Sequence, residues 1–246
     1  MIRTAVAGPR GKMGRETVRA LMQAEDLELV ALLDRKADPQ DAMIPVYDDP
    51  LQCFLTERVD VVVDFTHADA SRAIIPRAIE AGVSPVIGTT GFRDDELEAY
   101  DRALKNAGIG GLYVPNFAIG AILMMQMAEI ASRFFDHVEI IEYHHEQKRD
   151  APSGTAKRTA ERIEQALDQR YRARTTRESP RKIPIHSVRL PGFIAHQEVI
   201  FGGDGERFTL RHDSMSRESF MQGVLLSVRN VQALTGLTVG LDHLLR

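Results

Sequence analysis

The stretch from His144 to Ala156 reads HHEQKRDAPSGTA and brings two imidazoles, an ammonium and a Pro-Ser-Gly-Thr turn into one short segment. A histidine can give or take a proton near neutral pH, and a lysine beside it supplies fixed positive charge, or a second acid if its pKa is depressed. That pairing of His144 with Lys148 suits a polar, anionic substrate. In extended chain His144 and His145 project to opposite faces, so together they do not hold one metal ion. Lys148 and Arg149 stand where a His-Glu-x-x-His motif would need its second histidine, and no metal site is expected.

The same segment carries the start of a helix. Pro152 disfavours helical backbone at Ala151, Ser153 is suited to cap, and Ala156, Ala160, Ile163 and Leu167 mark the apolar face that follows. Gly154 and Thr155 then fall in the first turn, where open backbone N–H groups, the helix dipole and the Thr155 hydroxyl form a pocket for a carboxylate. A capped helix after a polar loop accounts for Pro152 and Ser153 alone. It does not account for His144 and Lys148 beside them.

A second signature lies near the N-terminus, where GPRGKMG places glycines at 8, 11 and 14 directly after the β-type run Arg3–Ala7. A chain turning there from strand into helix needs small residues and offers backbone N–H groups to a phosphate. The spacing is one residue longer in its first gap than the usual dinucleotide fingerprint, and its context supplies the specificity. Asp34 stands at the end of the next β-type run, where a carboxylate accepts hydrogen bonds from adenosine-ribose hydroxyls. Arg35 and Lys36 follow it, cations able to pair with a 2′-phosphate, so NADPH or NADH is the expected cofactor. A nucleoside triphosphate loop is not supported, because Met13 follows Lys12 where a magnesium-holding hydroxyl would stand. GTTG (Gly88 to Gly91) and PNF (Pro115 to Phe117) close two further β-type runs, where open α/β sheets bind ligands. Backbone amides, the hydroxyls of Thr89 and Thr90, and the Phe117 ring suit a nicotinamide at these turns.

The elements that position these groups follow from periodicity. Arg3–Ala7, Glu28–Leu33, Val59–Phe65, Pro85–Ile87 and Gly111–Val114 alternate with helical patterns, which predicts a parallel sheet; between them Ala73, Ile74, Ala78 and Ala81 give one crossing helix, stopped by Gly82. From about Asn116 the pattern changes to a methionine-rich helix over Ile119 to Ile130 and a strand over His137–Tyr143. The charged stretch from Tyr171 to Lys182 is expected to be mobile. Strands follow at Ile185–Leu190, Phe193–Phe201 and Arg207–Arg211, the last two joined as a hairpin through Gly202 to Gly205. A final helix carries Phe220, Val224, Leu225, Val228, Val231 and Leu234 on one face.

Bulk properties narrow the classes. The chain of 246 residues, 43% hydrophobic and 27% charged with a net charge of -4, has the composition of a globular protein without the basic excess that nucleic acid attracts. One cysteine, Cys53, excludes an internal disulfide framework and fits the reducing cytoplasm. The opening MIRTAVAGPRGKMG breaks its apolar run at Gly8 and Pro9, so neither a leader nor a membrane partner is expected.

Across nearly its whole length the sequence resembles the 4-hydroxy-tetrahydrodipicolinate reductases (dihydrodipicolinate reductases) of the diaminopimelate route to lysine. VAGPRGKMG, DFT (Asp64 to Thr66), GTTGF, PNFAIG, EYHHEQKRDAPSGTA, SVR (Ser187 to Arg189) and SR (Ser216-Arg217) carry the likeness, the histidine–lysine–DAPSGTA string most specifically. The resemblance implies NAD(P)H-dependent reduction of a cyclic, unsaturated dicarboxylate. It implies His144 as proton donor or acceptor, Lys148 as proton donor or substrate-positioning cation, and His145, Gly154 and Thr155 as substrate-binding. It sets Gly8, Pro9, Arg10, Gly11, Lys12, Met13, Asp34, Arg35, Gly88, Thr89, Thr90, Pro115, Asn116 and Phe117 around the cofactor. Gln147 departs from members that carry another histidine there. The implied architecture is α/β: a Rossmann-like dinucleotide-binding domain over 1–115, rejoined by 217–246, and an α+β domain over 116–216 whose open mixed sheet binds substrate and assembles a homotetramer. Two rivals share the first domain: another nicotinamide dehydrogenase, against which the DAPSGTA string argues, and a non-catalytic nucleotide sensor, which would not be expected to keep His144 and Lys148.

Overall fold

The structure, a computed structural model, describes residues 1–35, 43–174 and 182–245, with 170–174 described by backbone alone. Chain contacts divide it into two units, Met1–Phe117 with Phe220–Arg246, and Ala118–Ser219.

In the first unit seven parallel strands form one sheet: β1 (Ile2–Ala7), β2 (Leu27–Leu33), β3 (Val46–Tyr47), β4 (Val61–Asp64), β5 (Ser84–Ile87), β6 (Gly110–Tyr113) and β11 (Gly236–Val239), in the order β11-β6-β5-β4-β1-β2-β3. Their central members are apolar runs, Val61 to Val63 and Ala5 to Ala7 being wholly buried, as parallel strands covered on both faces must be. Helices α1 (Lys12–Gln23), α2 (Pro50–Thr56), α3 (Ala68–Glu80) and α4 (Asp94–Ala107) make the crossovers. α3 ends at Glu80 with Gly82 at φ 73, and α4 ends on Gly108 at φ 70, the left-handed closures that glycine permits. Strand order reverses between β1 and β4, so the loops leaving these strands diverge and open a crevice, the general ligand position of such sheets.

In the second unit α5 (Ile119–Ala131), β7 (His137–His144), α6 (Gly154–Arg174), β8 (Ile185–Arg189), β9 (Ala195–Gly203) and β10 (Glu206–Ser214) build a mixed sheet ordered β10-β9-β7-β8, parallel only between β7 and β8. Met124 and Ala128 of α5 and Ala156, Ala160, Ile163 and Leu167 of α6 pack on Val138, Ile140, Val199 and Phe201 of the sheet. The glycine link closes as a hairpin, Glu206 opposite Gly203 and Gly205 at φ 77.

The structure differs from the sequence reading at one element and adds to it at two. The final helix, α7 (Met221–Asn230), gives way to a 3-10 turn over Val231–Ala233, and β11 then pairs with β6, so Leu234 is not helical. The charged stretch from Tyr171 begins as helix, because α6 continues to Arg174; residues 175–181 lie outside the described residues, as does Lys36. β3 is a two-residue strand with no periodic signal of its own. Among the described residues no helix is long and apolar enough to cross a membrane.

Candidate active site

The first unit presents a nucleotide cradle at the carboxyl ends of its strands. Gly8 turns the chain at φ 78, and a Cβ there would lie 2.9 Å from the Phe65 carbonyl oxygen. At Gly14 a Cβ would lie 2.0 Å from the Gly8 oxygen, so only glycine lets the first turn of α1 sit against the loop. Gly11 caps α1 without a side-chain acceptor, which leaves that end of the dipole turned to whatever anion arrives. A cavity of about 660 Å³ opens here, lined among others by Gly8, Arg10, Gly11, Asp34, Thr66 and His67. Pro9 sits in the turn, Lys12 and Met13 begin the helix, and Arg35 lines the same cavity.

Asp34 is not simply an acceptor waiting for ribose. Arg10 donates to it from Nε at 2.5 Å and from Nη2 at 2.8 Å, a two-pronged pair across the cavity mouth. The cavity therefore offers a carboxylate and a guanidinium side by side. Thr66 and His67 also line it without having been singled out as site residues; His67 caps α3 through Nδ1, which accepts from the Ala70 N–H, so its Nε2 carries the ring proton. Glycines, open helix end, carboxylate and cations together fit a dinucleotide.

The turns after β5 and β6 are shaped by packing. A Cβ on Gly88 would fall 2.2 Å from Phe65 Cε1 and 2.9 Å from Phe117 Cε2, and those two rings meet edge to face at 5.3 Å. Gly88 is thus glycine because of the aromatic pair, and Phe117 is a buried packing residue more than an open wall. Thr89 is buried and its hydroxyl points to Asp64, at 3.4 Å, together with the Thr66 hydroxyl at 2.6 Å and Ser71. Its side chain therefore organises the turn. Thr90 and Pro115 are exposed, and Asn116 half-buried, at the same edge of the sheet.

In the second unit the alternation of β7 decides the site. Val138, Ile140 and Glu142 point to the covered face, and His144, two residues on, ends that row. Glu142 is 0% exposed and holds four donors. His144 Nδ1 and Arg189 Nη1 (2.9 Å) reach Oε2; Arg189 Nη2 (2.7 Å) and the Ser153 N–H (3.2 Å) reach Oε1. Arg189 Nη2 also donates to the Asp150 carbonyl at 2.7 Å, and Asp150 Oδ1 holds Lys148 Nζ at 2.8 Å. Ser153 caps α6 by accepting from the Ala156 N–H at 3.2 Å, as its position suggests. The Gly154 N–H has no acceptor among the described residues, and Thr155 follows it in the first turn. His145 lies beyond the strand, its carbonyl accepting from the Lys148 N–H at 3.1 Å, and Gln147 is exposed.

These contacts set the proton affinities. Burial pushes His144 below its ordinary value of 6.5, against the pull of Glu142 and helped by the cations Lys148 and Arg189. Burial would raise the Glu142 carboxyl, but Arg189 first, then the nearby Ser187 hydroxyl and His144, outweigh it and hold it below 4.5. Asp150 is lowered by the Lys148 ammonium. The result is an imidazole shifted toward its neutral form, an ammonium and a helix start all tied to the Glu142–Arg189 pair, the parts needed to hold an anion and move a proton. Among the described residues no three His, Cys, Asp or Glu side chains are grouped as metal ligands.

Sequence reading singled out His144, Lys148 and the helix start; it quoted Glu142 and Arg189 only inside longer strings, and the structure shows these two linking the others. The available signal was a glutamate on the buried parity of an otherwise apolar strand face, which requires a cation partner.

Comparison with known proteins covers both units. Residues 2–117 match the family described as dihydrodipicolinate reductase, N-terminus, and residues 120–245 its C-terminus. A 4-hydroxy-tetrahydrodipicolinate reductase of Geobacillus kaustophilus is 44% identical over 262 residues, covering 99% of each chain. The solved structure of a dipicolinate-bound dihydrodipicolinate reductase from Paenisporosarcina sp. TG-14 superposes with a TM-score of 0.87 at 42% identity, over 99% of each chain. C. glutamicum DAP dehydrogenase in complex with DAP, at 15% identity and a TM-score of 0.63 over 100% of this chain and 95% of its own, shares the fold alone.

Proposed function

The chain belongs to the dihydrodipicolinate reductase family, and from that premise we propose how its two units divide an NAD(P)H-dependent reduction of 4-hydroxy-tetrahydrodipicolinate to tetrahydrodipicolinate, a step of the diaminopimelate route to lysine. The observation that carries the assignment of roles is the clustering of His144, Lys148 and the Ser153-capped start of α6 on one buried anchor.

Bound reduced nicotinamide would supply hydride to an unsaturated ring carbon; the reaction balances when one proton enters with that hydride and the 4-hydroxyl of the substrate departs as water. In the first unit Gly8 through Met13 receive the pyrophosphate, while Asp34 accepts from ribose hydroxyls. Arg10 and Arg35 meet a 2′-phosphate, so both NADPH and NADH are used. Gly88 to Thr90 and Pro115 to Phe117 shape the nicotinamide end, with Thr89 acting through the loop it fastens. In the second unit one substrate carboxylate docks at the N–H groups of Gly154 and Thr155, with His145 alongside, and Lys148 holds the dicarboxylate's charge. His144 Nε2 handles the proton. Dipicolinate, the dicarboxylate in the Paenisporosarcina structure, is then the planar mimic that should bind the same groups.

Among the described residues β10 leaves one edge of the second sheet unpaired over nine residues, which supports assembly into a homotetramer through that sheet, measurable by light scattering. Cys53, a buried free thiol, suits the cytoplasm as the place of work.

The test is a coupled assay. The product of pyruvate and aspartate-semialdehyde condensation is fed to the protein, and absorbance loss is followed with NADPH and, separately, with NADH. Oxidation of both is expected; oxidation of neither would remove the assignment.

A further inference from the structure

The residues assigned to the chemistry share one support. Glu142 is wholly buried between β7 and α6, yet each of its oxygens takes two hydrogen bonds, and the four bonds lead to three parts of the site: His144, Ser153 and Arg189. Oε2 fixes the His144 ring. Oε1 fixes the Ser153 N–H, and with it the first turn of α6 that is to receive the substrate carboxylate. Arg189 stands opposite His144 in the parallel register of β8 on β7, reaches diagonally to both Glu142 oxygens, and ties down the Asp150 carbonyl whose own carboxylate holds Lys148.

We propose that Glu142 and Arg189 are the positioning pair of this active site, Glu142 fixing the His144 tautomer with Nε2 as the working nitrogen and Arg189 carrying the charge that would otherwise fall to the imidazole. The proposal rests on the reading of His144 and Lys148 given above.

The chemistry follows from which groups can donate. An ionised carboxylate only accepts, so the Nδ1 facing Glu142 must bear the ring proton and Nε2 must present its lone pair. A buried carboxylate with histidine as its sole partner would draw a second proton onto the ring and leave an imidazolium at rest. The Arg189 fork, planar and permanently charged, matches both oxygens and removes that demand. The net downward displacement of His144 agrees with an imidazole that is neutral until substrate arrives. A purely structural ion pair between β7 and β8 would set stability but would dictate neither the tautomer nor opposite titration shifts on removing each partner.

The experiment uses the full chain labelled with nitrogen-15 in histidine, with His144 assigned by comparison with His144→Gln. Imidazole nitrogen correlations at neutral pH should show His144 protonated at Nδ1 and bare at Nε2 in the wild type; a bare Nδ1 overturns the proposal without any substitution at Glu142 or Arg189. In Glu142→Gln the tautomer preference should be lost and the His144 titration move to lower pH, while in Arg189→Gln it should move to higher pH. Turnover of Glu142→Gln should fall roughly 100-fold with KM and NADPH affinity held within about threefold, and Glu142→Asp should recover part of it. A folded Glu142→Gln with an unchanged tautomer and unchanged turnover contradicts the proposal. A wild type that shows the stated tautomer but oxidises neither cofactor would instead remove the reaction assignment, which separates the two failures.

Discussion

Substituting Gly154 by alanine should move stability and ligand binding in opposite directions. Gly154 is exposed at the first position of α6, its φ is not in the left-handed region, and a Cβ built on it meets no heavy atom within 4 Å. The fold therefore has room for the methyl. Alanine loses less backbone entropy than glycine on entering a helix, and at a terminal position about 0.5 kcal/mol of stabilisation is reasonable, or a melting temperature higher by roughly 1–2 °C for a chain of this size. The same methyl tilts toward the helix N-terminus, into the space through which a carboxylate must approach the Gly154 N–H. Losing one charge-assisted hydrogen bond costs about 1.5–3 kcal/mol, which is roughly 10- to 150-fold in affinity. Dipicolinate titrated calorimetrically into the wild type and Gly154→Ala, with thermal melts of both, reads the two effects. A raised melting temperature with dipicolinate affinity unchanged within about twofold would refute a carboxylate site at the start of α6.

Other substitutions probe the rest of the account. Gly14→Ala puts a Cβ 2.0 Å from the Gly8 oxygen, backbone against backbone, and should cost roughly 2–4 kcal/mol by denaturant titration together with cofactor binding. Gly82→Ala, with φ 73 but nothing within 4 Å, should cost only about 1–2 kcal/mol and leave cofactor binding intact. On the proposed reading Arg10→Ala should weaken NADPH about 10-fold by titration, the loss of one charged contact to its 2′-phosphate, while NADH, which lacks that phosphate, changes little. Acidification should lower stability in two stages followed by thermal melts. His144, held below 6.5 when folded, contributes stability above 6.5 that is lost as pH falls through its lowered value; Glu142, held below 4.5, contributes above 4.5 and is lost as pH falls through its own. A melting temperature that rises on acidification would contradict both.

Local signals carried the parts of the molecule that are local. The glycines at 8, 11 and 14 follow an apolar run and precede a helix, and their close approaches are to neighbours a few residues away or on the adjoining strand. The cap at Ser153 and the apolar face of α6 were likewise legible from spacing alone. What escaped depends on register between distant segments. Arg189 meets Glu142 across 47 positions, and only the pairing of β8 with β7 brings them together. Gly88 looks like turn chemistry until Phe65 and Phe117 are seen against it, and Thr89 looks cofactor-directed until its hydroxyl is found on Asp64. β11 follows a helical repeat without a break in hydrophobicity, so the switch at Gly236, at φ 75, is set by pairing with β6.

Pre-mixing each protein with NADPH and following a single turnover on the condensation product asks most directly whether the second unit supplies the proton and anion chemistry. His144→Gln and Lys148→Ala should each slow oxidation by roughly 100-fold or more while NADPH binds as in the wild type. Wild-type single-turnover rates in both variants, with cofactor bound, would contradict the placement of the chemistry on His144 and Lys148.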